Sequence, residues 1–202
     1  MSLSLGDGRV VVQLARSALE AHIRCAKIRE QSWSSGFLSE KRGVFVTLNA
    51  LGGGHERLRG CIGFPYPEKK LGEAVQEAAI AAASEDPRFR PVRLEELDSI
   101  VVEVSVLTPP TPLEAARRAD VQKIVRIGQD GLIVSRSYHS GLLLPQVATE
   151  FGFDQQEFLS QACVKAGLMP DAWLDRETRL QVFQAEVFAE RRPRGEVIRA
   201  GD

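Results

Sequence analysis

The chain has 202 residues, 44% hydrophobic and 26% charged, which suits one or two globular domains and excludes a disordered or collagen-like polypeptide. Lysine and arginine total 26 against 27 aspartates and glutamates, a formal net charge of -1, so no global basic excess points at nucleic acid. Cys25, Cys61 and Cys163 are far apart, lack C-x-x-C spacing and do not cluster with His22, His55 or His139; neither a disulfide framework nor a metal site is expected, and no cofactor motif is present.

The N-terminus lacks the basic and long apolar regions of a signal peptide, and no window approaches the length of a membrane span. A cytoplasmic protein is expected. From Asp7, a good N-cap, to Cys25 the spacing predicts a helix, with Leu14, Ala15, Ala18, Leu19, His22 and Ile23 on one face. Gly43 to Leu48 is apolar and β-branched and predicts a strand. Asn49 to Arg57, with Gly52-Gly53-Gly54 and His55, predicts a flexible hairpin tip, and Leu58 to Ile62 the return strand.

Leu71 to Ser84 predicts an alanine-rich helix ended by Asp86-Pro87, because proline disfavours helical geometry in the residue before it. Leu97 to Leu107 alternates as a strand that places Glu103 and Ser105 on one face. The proline-rich run Thr108 to Pro112 should stop pairing. Val121 to Ile127 predicts a strand or short helix end. Short strands follow at Leu132–Val134 and Gly141–Leu144, around polar turns. Pro145 opens a helix carrying Gln146, and Asp154 caps another that runs through Cys163 to Gly167. Thr178 to Glu190 predicts one long closing strand, and residues 191–202 a polar, solvated tail. Hairpins and helices without regular β-α-β alternation indicate an α+β fold: an antiparallel sheet flanked by helices.

The hexapeptide Leu58-Arg59-Gly60-Cys61-Ile62-Gly63 concentrates the reactive chemistry. A catalytic thiol needs a lowered pKa, and Arg59, two residues before Cys61, would share its face and supply a cation. Gly60 and Gly63 would let a substrate approach the backbone. Against this stands the tendency of unpaired cysteine to pack as a small hydrophobe; Cys25 and Cys163 are read that way. Asp86 either caps its turn and pairs with Arg88, or leaves Arg88 beside Arg59 as an anion clamp. Glu103 is the best general-base candidate if its face is part of the site, with Ser105 beside it. Thr47 faces Cys61 across the hairpin or is an ordinary strand residue. Gln146 offers hydrogen bonds at a helix start, or merely caps it.

Gly43–Leu48, Leu58–Gly63, Asp86-Pro87-Arg88-Phe89 with Pro91, Glu103–Leu107, Gly128 with Asp130-Gly131-Leu132, Leu143–Ala148, and Lys165–Leu168 with Trp173 occur in this order over nearly the whole chain. In them the sequence resembles the AMMECR domain family, and its archaeal and bacterial members more than eukaryotic ones. The resemblance implies one domain over residues 7–190 made of two subdomains, the larger containing both termini, with a cleft between them. It also implies a pathway link to Memo-like and radical-SAM proteins, without supplying a reaction. Two functions are carried forward. One is an enzyme acting on a small anionic or nucleotide-like substrate around Cys61. The other is a non-catalytic module that binds RNA or a protein partner.

Overall fold

A computed structural model describes residues 2–27, 36–52 and 55–200, and divides the chain into two units. The first contains residues 1–107 and 186–202, the second Thr108–Ala185. The fold is α+β with two sheets. Among the described residues no helix is long and apolar enough to cross a membrane.

The first unit opens with α1 (Leu5–Ile23). Its N-cap is Ser4, not Asp7. The Ser4 hydroxyl accepts the Asp7 backbone N–H and the Asp7 carboxylate accepts the Ser4 N–H, a reciprocal box that starts the helix earlier than expected. Val11, Val12, Ala15, Ala18 and Leu19 are buried, while His22, expected on that face, is exposed. Cys25 lies beyond the helix at φ 52° and is exposed, so it is not a packing residue.

Two long strands follow, β1 (Val44–Gly52) and β2 (His55–Phe64), paired antiparallel. The ladder continues through Ala50 opposite Arg57 to Gly52 opposite His55. Most of the expected loop from Asn49 to Arg57 is therefore strand, and Gly53 and Gly54 lie outside the described residues. Backbone pairing outweighs the glycine signal here because both strands have partners for their amides. Helix α2 (Leu71–Ser84) packs on β1 and β2, and β3 (Ile100–Leu107) pairs with β1. The strand starts at Ile100 rather than Leu97, after a short 3-10 turn at Leu94–Glu96.

The return segment splits. Arg179–Phe183 and Ala185–Glu190, expected as one strand, are two strands in different sheets (β7 and β8). Alternation alone does not reveal the break at Gln184, because the run is mostly alternating on both sides of it. Beyond Arg191, Val197–Arg199 form β9 against β8, where a polar tail was expected, and Arg194 pairs with Glu20 and Asp98. The sheet order is β2-β1-β3-β8-β9. Val44, Val46 and Leu48 of β1 and Ile100, Val102, Val104 and Val106 of β3 join α1 and α2 in one apolar core. Arg16 and Glu190 are buried together beside it: Arg16 Nε donates to Glu190 at 3.0 Å and its Nη2 to the Ile100 carbonyl at 2.6 Å.

The second unit holds a sheet ordered β4-β7-β5-β6, all antiparallel, with β4 at Thr111–Pro112, β5 at Gly131–Arg136 and β6 at His139–Leu143. Thr111 and Pro112, expected to end pairing, form the short edge strand against Val182 and Gln181, a position where proline's missing donor is tolerated. Val121 falls in a 3-10 helix, Arg118–Lys123. Helix α3 (Pro145–Phe151) begins with proline, and α4 (Gln155–Lys165) is capped by Asp154 as its sequence predicted. Phe158, Leu159, Ala162 and Cys163 of α4 pack with Leu132, Val134, Trp173 and Leu180 in a separate core.

Candidate functional site

Alternation along β1 and β3 sends Val44, Val46, Leu48, Ile100, Val102, Val104 and Val106 to the helices and the intervening residues to the other face of the sheet. On that face Thr47 stands opposite Cys61 of β2 on one side and Glu103 of β3 on the other. Three sequence blocks thus supply one row of thiol, hydroxyl and carboxylate. The Thr47 hydroxyl donates to Cys61 Sγ at 3.3 Å. The next row along is Gly63, Phe45 and Ser105, so Ser105 shares the face of Glu103 but is buried one row away from the thiol.

Strand β2 is the sheet edge, and Asp86 covers it at Cys61. The Cys61 backbone N–H donates to Asp86 Oδ2 at 2.9 Å. The same carboxylate accepts Arg88 Nε at 2.9 Å, Arg88 Nη2 at 2.7 Å and the Arg88 backbone N–H at 3.1 Å. Asp86 is buried, whereas 55% of the Arg88 side chain is exposed. The guanidinium hydrogen bonds hold the Asp86 carboxyl far below the usual carboxylate range, against the opposing effect of burial. Asp86 thus fills the structural role read from its sequence and also fixes the cation beside Cys61.

That cation is not Arg59. The β1–β2 register shifts between Leu48 and Asn49: Leu48 faces Gly60 and Asn49 faces Leu58, leaving Arg59 as the extra residue of a bulge. Its side chain is turned to Glu96, with Nε to Oε1 at 2.7 Å and Nη2 to Oε2 at 3.1 Å, and also reaches the Pro91 carbonyl at 3.3 Å. Phe89 lies beneath both guanidiniums, 6.0 Å from Arg59 and 5.4 Å from Arg88. Arg59 therefore ties β2 to the loop before β3, and the two-arginine clamp is reduced to Arg88. Glu96, which sequence reasoning passed over, is the residue that commits Arg59. Its only signal was its place three residues after Arg93, whose N–H it accepts at 2.8 Å.

The two glycines also serve packing. A Cβ on Gly60 would lie 2.0 Å from the Ala82 carbonyl oxygen, on the helix side of the sheet. A Cβ on Gly63 would lie 2.4 Å from the Phe45 ring. The space they leave is filled by protein rather than held open for a substrate. Gln146 belongs to the second unit, at the second position of α3, where the Leu144 N-cap has no side-chain cap bond.

Burial pushes the Cys61 thiol above its ordinary value; the hydrogen bond from Thr47 and the charge of Arg88 oppose this, while Glu103 and Asp86 reinforce it. The resting group is a neutral thiol, half-buried, with a hydroxyl donor and one cation in place to stabilise a thiolate. Among the described residues no group of histidine, cysteine, aspartate and glutamate side chains could hold a metal ion.

The AMMECR1 family model matches residues 12–188. A protein of Methanothermobacter thermautotrophicus is 54% identical over 189 residues, covering 93% of this chain and 96% of the relative. One of Thermococcus gammatolerans is 53% identical over 194 residues, covering 95% and 94%. The crystal structure of uncharacterized protein PH0010 from Pyrococcus horikoshii is similar with a TM-score of 0.84 at 49% identity, over 95% of each chain.

Proposed function

This chain belongs to the AMMECR1 family, and we propose that the patch formed by Thr47, Cys61, Glu103 and Arg88 is an enzyme site for a small substrate carrying a carboxylate or phosphate. The supporting observation is the row Cys61–Thr47–Glu103 across three strands, with Arg88 pinned beside it by Asp86. Asp86 uses the Nε and Nη2 edge of the guanidinium, and the exposed remainder meets the anionic group of the substrate. Asp86 also cancels the formal charge of Arg88, so affinity depends on hydrogen-bond geometry more than on net attraction and varies only weakly with salt. Glu103 is the general base and Cys61 the nucleophile, whose thiolate Thr47 stabilises by donating to it.

Activation then belongs to the substrate-bound state, because burial keeps the free thiol protonated. That same observation favours the second reading, a non-catalytic module that recognises RNA or a protein partner through this face. A panel of small phosphorylated and carboxylated metabolites, followed by thermal shift and product analysis, separates the two. The enzyme reading expects a stabilising anion whose effect is lost in Arg88→Gln, and turnover that disappears in Cys61→Ala and Glu103→Gln while binding persists. Binding without turnover across the panel, unchanged by Cys61→Ala, supports the recognition module. A cytoplasmic setting and a pathway shared with Memo-like and radical-SAM proteins fit either reading.

A further inference from the structure

Asn49 is the only asparagine of the chain, and it sits within β1, a strand paired on both sides. Asparagine is disfavoured in strands, and its amide has two donors and an acceptor to satisfy. Nothing inside the protein offsets that cost. Asn49 is half-buried, and among the described residues its side chain makes no hydrogen bond, yet its amide is not sealed from solvent. A residue that breaks a local rule without internal return is expected where a ligand supplies the return.

Its place is one row from the thiol. Thr47 and Asn49 share a face of β1, so Asn49 is a diagonal neighbour of Cys61, about 7–8 Å away between strand positions. The bulge at Arg59 has a second effect here. It reverses the alternation of β2, so Leu58, opposite Asn49, lies on the face of Cys61 instead of the helix face. Leu58 is 41% exposed. On the other side of the Cys61 row the face is filled: the Phe45 ring lies against Gly63, and Ser105 is buried. The patch therefore extends toward Asn49 and Leu58 and is closed toward Phe45.

We propose that Asn49 is the specificity-determining residue of the Cys61 site and binds an amide edge of the ligand, a carbonyl beside an N–H. This rests on the reading of the Cys61 patch as a ligand site. An asparagine amide presents an acceptor beside donors, so its complement presents a donor beside an acceptor, and two hydrogen bonds form in one plane. Leu58 gives the adjoining carbon skeleton an apolar contact. Arg88 takes the anionic end on the far side of Cys61. It is held outside the edge strand β2 by Asp86, and β2 lies one strand spacing, about 4.8 Å, from β1. The ligand thus spans the thiol, with its anion at the sheet edge and its amide edge over β1. A carboxamide and a pyrimidine lactam both offer that edge.

Protection of Cys61 from iodoacetamide at mildly alkaline pH tests this in the full chain, read by mass spectrometry with the exposed Cys25 as internal control. Two matched pairs are the probes: uridine 5′-monophosphate against ribose 5-phosphate, and glutaramate against pentanoate. In at least one pair the amide-bearing member should protect at about tenfold lower concentration, the net gain of two neutral hydrogen bonds. Uridine 5′-monophosphate alone assigns the edge to a nucleobase, glutaramate alone to a carboxamide. The preference should vanish in Asn49→Leu while the member without the amide protects as before, and Arg88→Gln should weaken every probe. Asn49→Leu should also raise the melting temperature of the ligand-free protein, because it replaces a residue disfavoured in strands. Asn49→Thr carries the test if the leucine variant does not fold. Equal protection within both pairs, or a preference that survives both Asn49 variants, overturns the role of Asn49 and leaves the Arg88 site standing. A lowered melting temperature in both variants shows a structural asparagine and overturns it as well. No protection of Cys61 by any probe overturns the Cys61 reading together with the inference.

Discussion

Replacing Asp86 with asparagine removes the group that joins the edge strand, the loop after α2 and Arg88. The carboxylate accepts four N–H groups, two on each oxygen: Cys61 N–H and Arg88 Nη2 on Oδ2, Arg88 N–H and Nε on Oδ1. An asparagine offers one oxygen and turns an NH2 toward the other pair. Whichever way it is placed, one backbone N–H and one guanidinium N–H lose their acceptor and face a donor. The backbone N–H is part-buried, and leaving it unsatisfied costs up to about 1–3 kcal/mol. The guanidinium is more than half exposed and recovers water, which reduces its share to about 0–1 kcal/mol. Asp86→Asn should therefore lower stability by about 1–4 kcal/mol at pH 7, read from urea or guanidinium midpoints at constant m-value. The pH dependence gives a second readout. The folded Asp86 pKa is depressed, so its contribution is complete above the unfolded value of about 3.9 and shrinks as pH falls toward the folded value. The gap between the native protein and Asp86→Asn should narrow on acidification from pH 6 toward 3. A loss under about 1 kcal/mol, or a gap independent of pH, refutes the account of Asp86 as the fastener of this site.

Two further outcomes follow from the same geometry. Gly60→Ala should lower stability by about 1–3 kcal/mol in the same assay, because its Cβ would meet the Ala82 carbonyl oxygen at 2.0 Å and move α2 off the sheet; an unchanged midpoint would show that the helix yields freely. Iodoacetamide labelling followed by mass spectrometry should rank Cys25 first, Cys61 second and Cys163 last, with the Cys61 rate climbing steeply through alkaline pH and slowed further in Thr47→Val; Cys61 labelling faster than Cys25 at pH 7 would contradict a thiol held neutral by burial.

The sequence by itself determined the elements that announce themselves locally. The amphipathic faces of α1 and α2, the proline that opens α3, the Asp154 cap and the alternation of β3 all act within a few residues, so periodicity and capping chemistry reveal them. The α+β class and the nomination of Thr47, Cys61, Arg88 and Glu103 followed from such local signals together with the family resemblance. Tertiary structure decided what depends on partners distant in the chain. Strand register made Thr47 the link between Cys61 and Glu103, and a one-residue bulge turned Arg59 away toward Glu96. The β7–β8 break falls within a mostly alternating run and shows in which sheet each half joins. Arg16 met Glu190 across 174 residues, and the hydroxyl of Thr178 was buried without a hydrogen-bond partner. Pairing, burial and charge compensation are properties of a neighbourhood, and the residues that make each neighbourhood lie tens to hundreds of positions apart, beyond the reach of any local pattern.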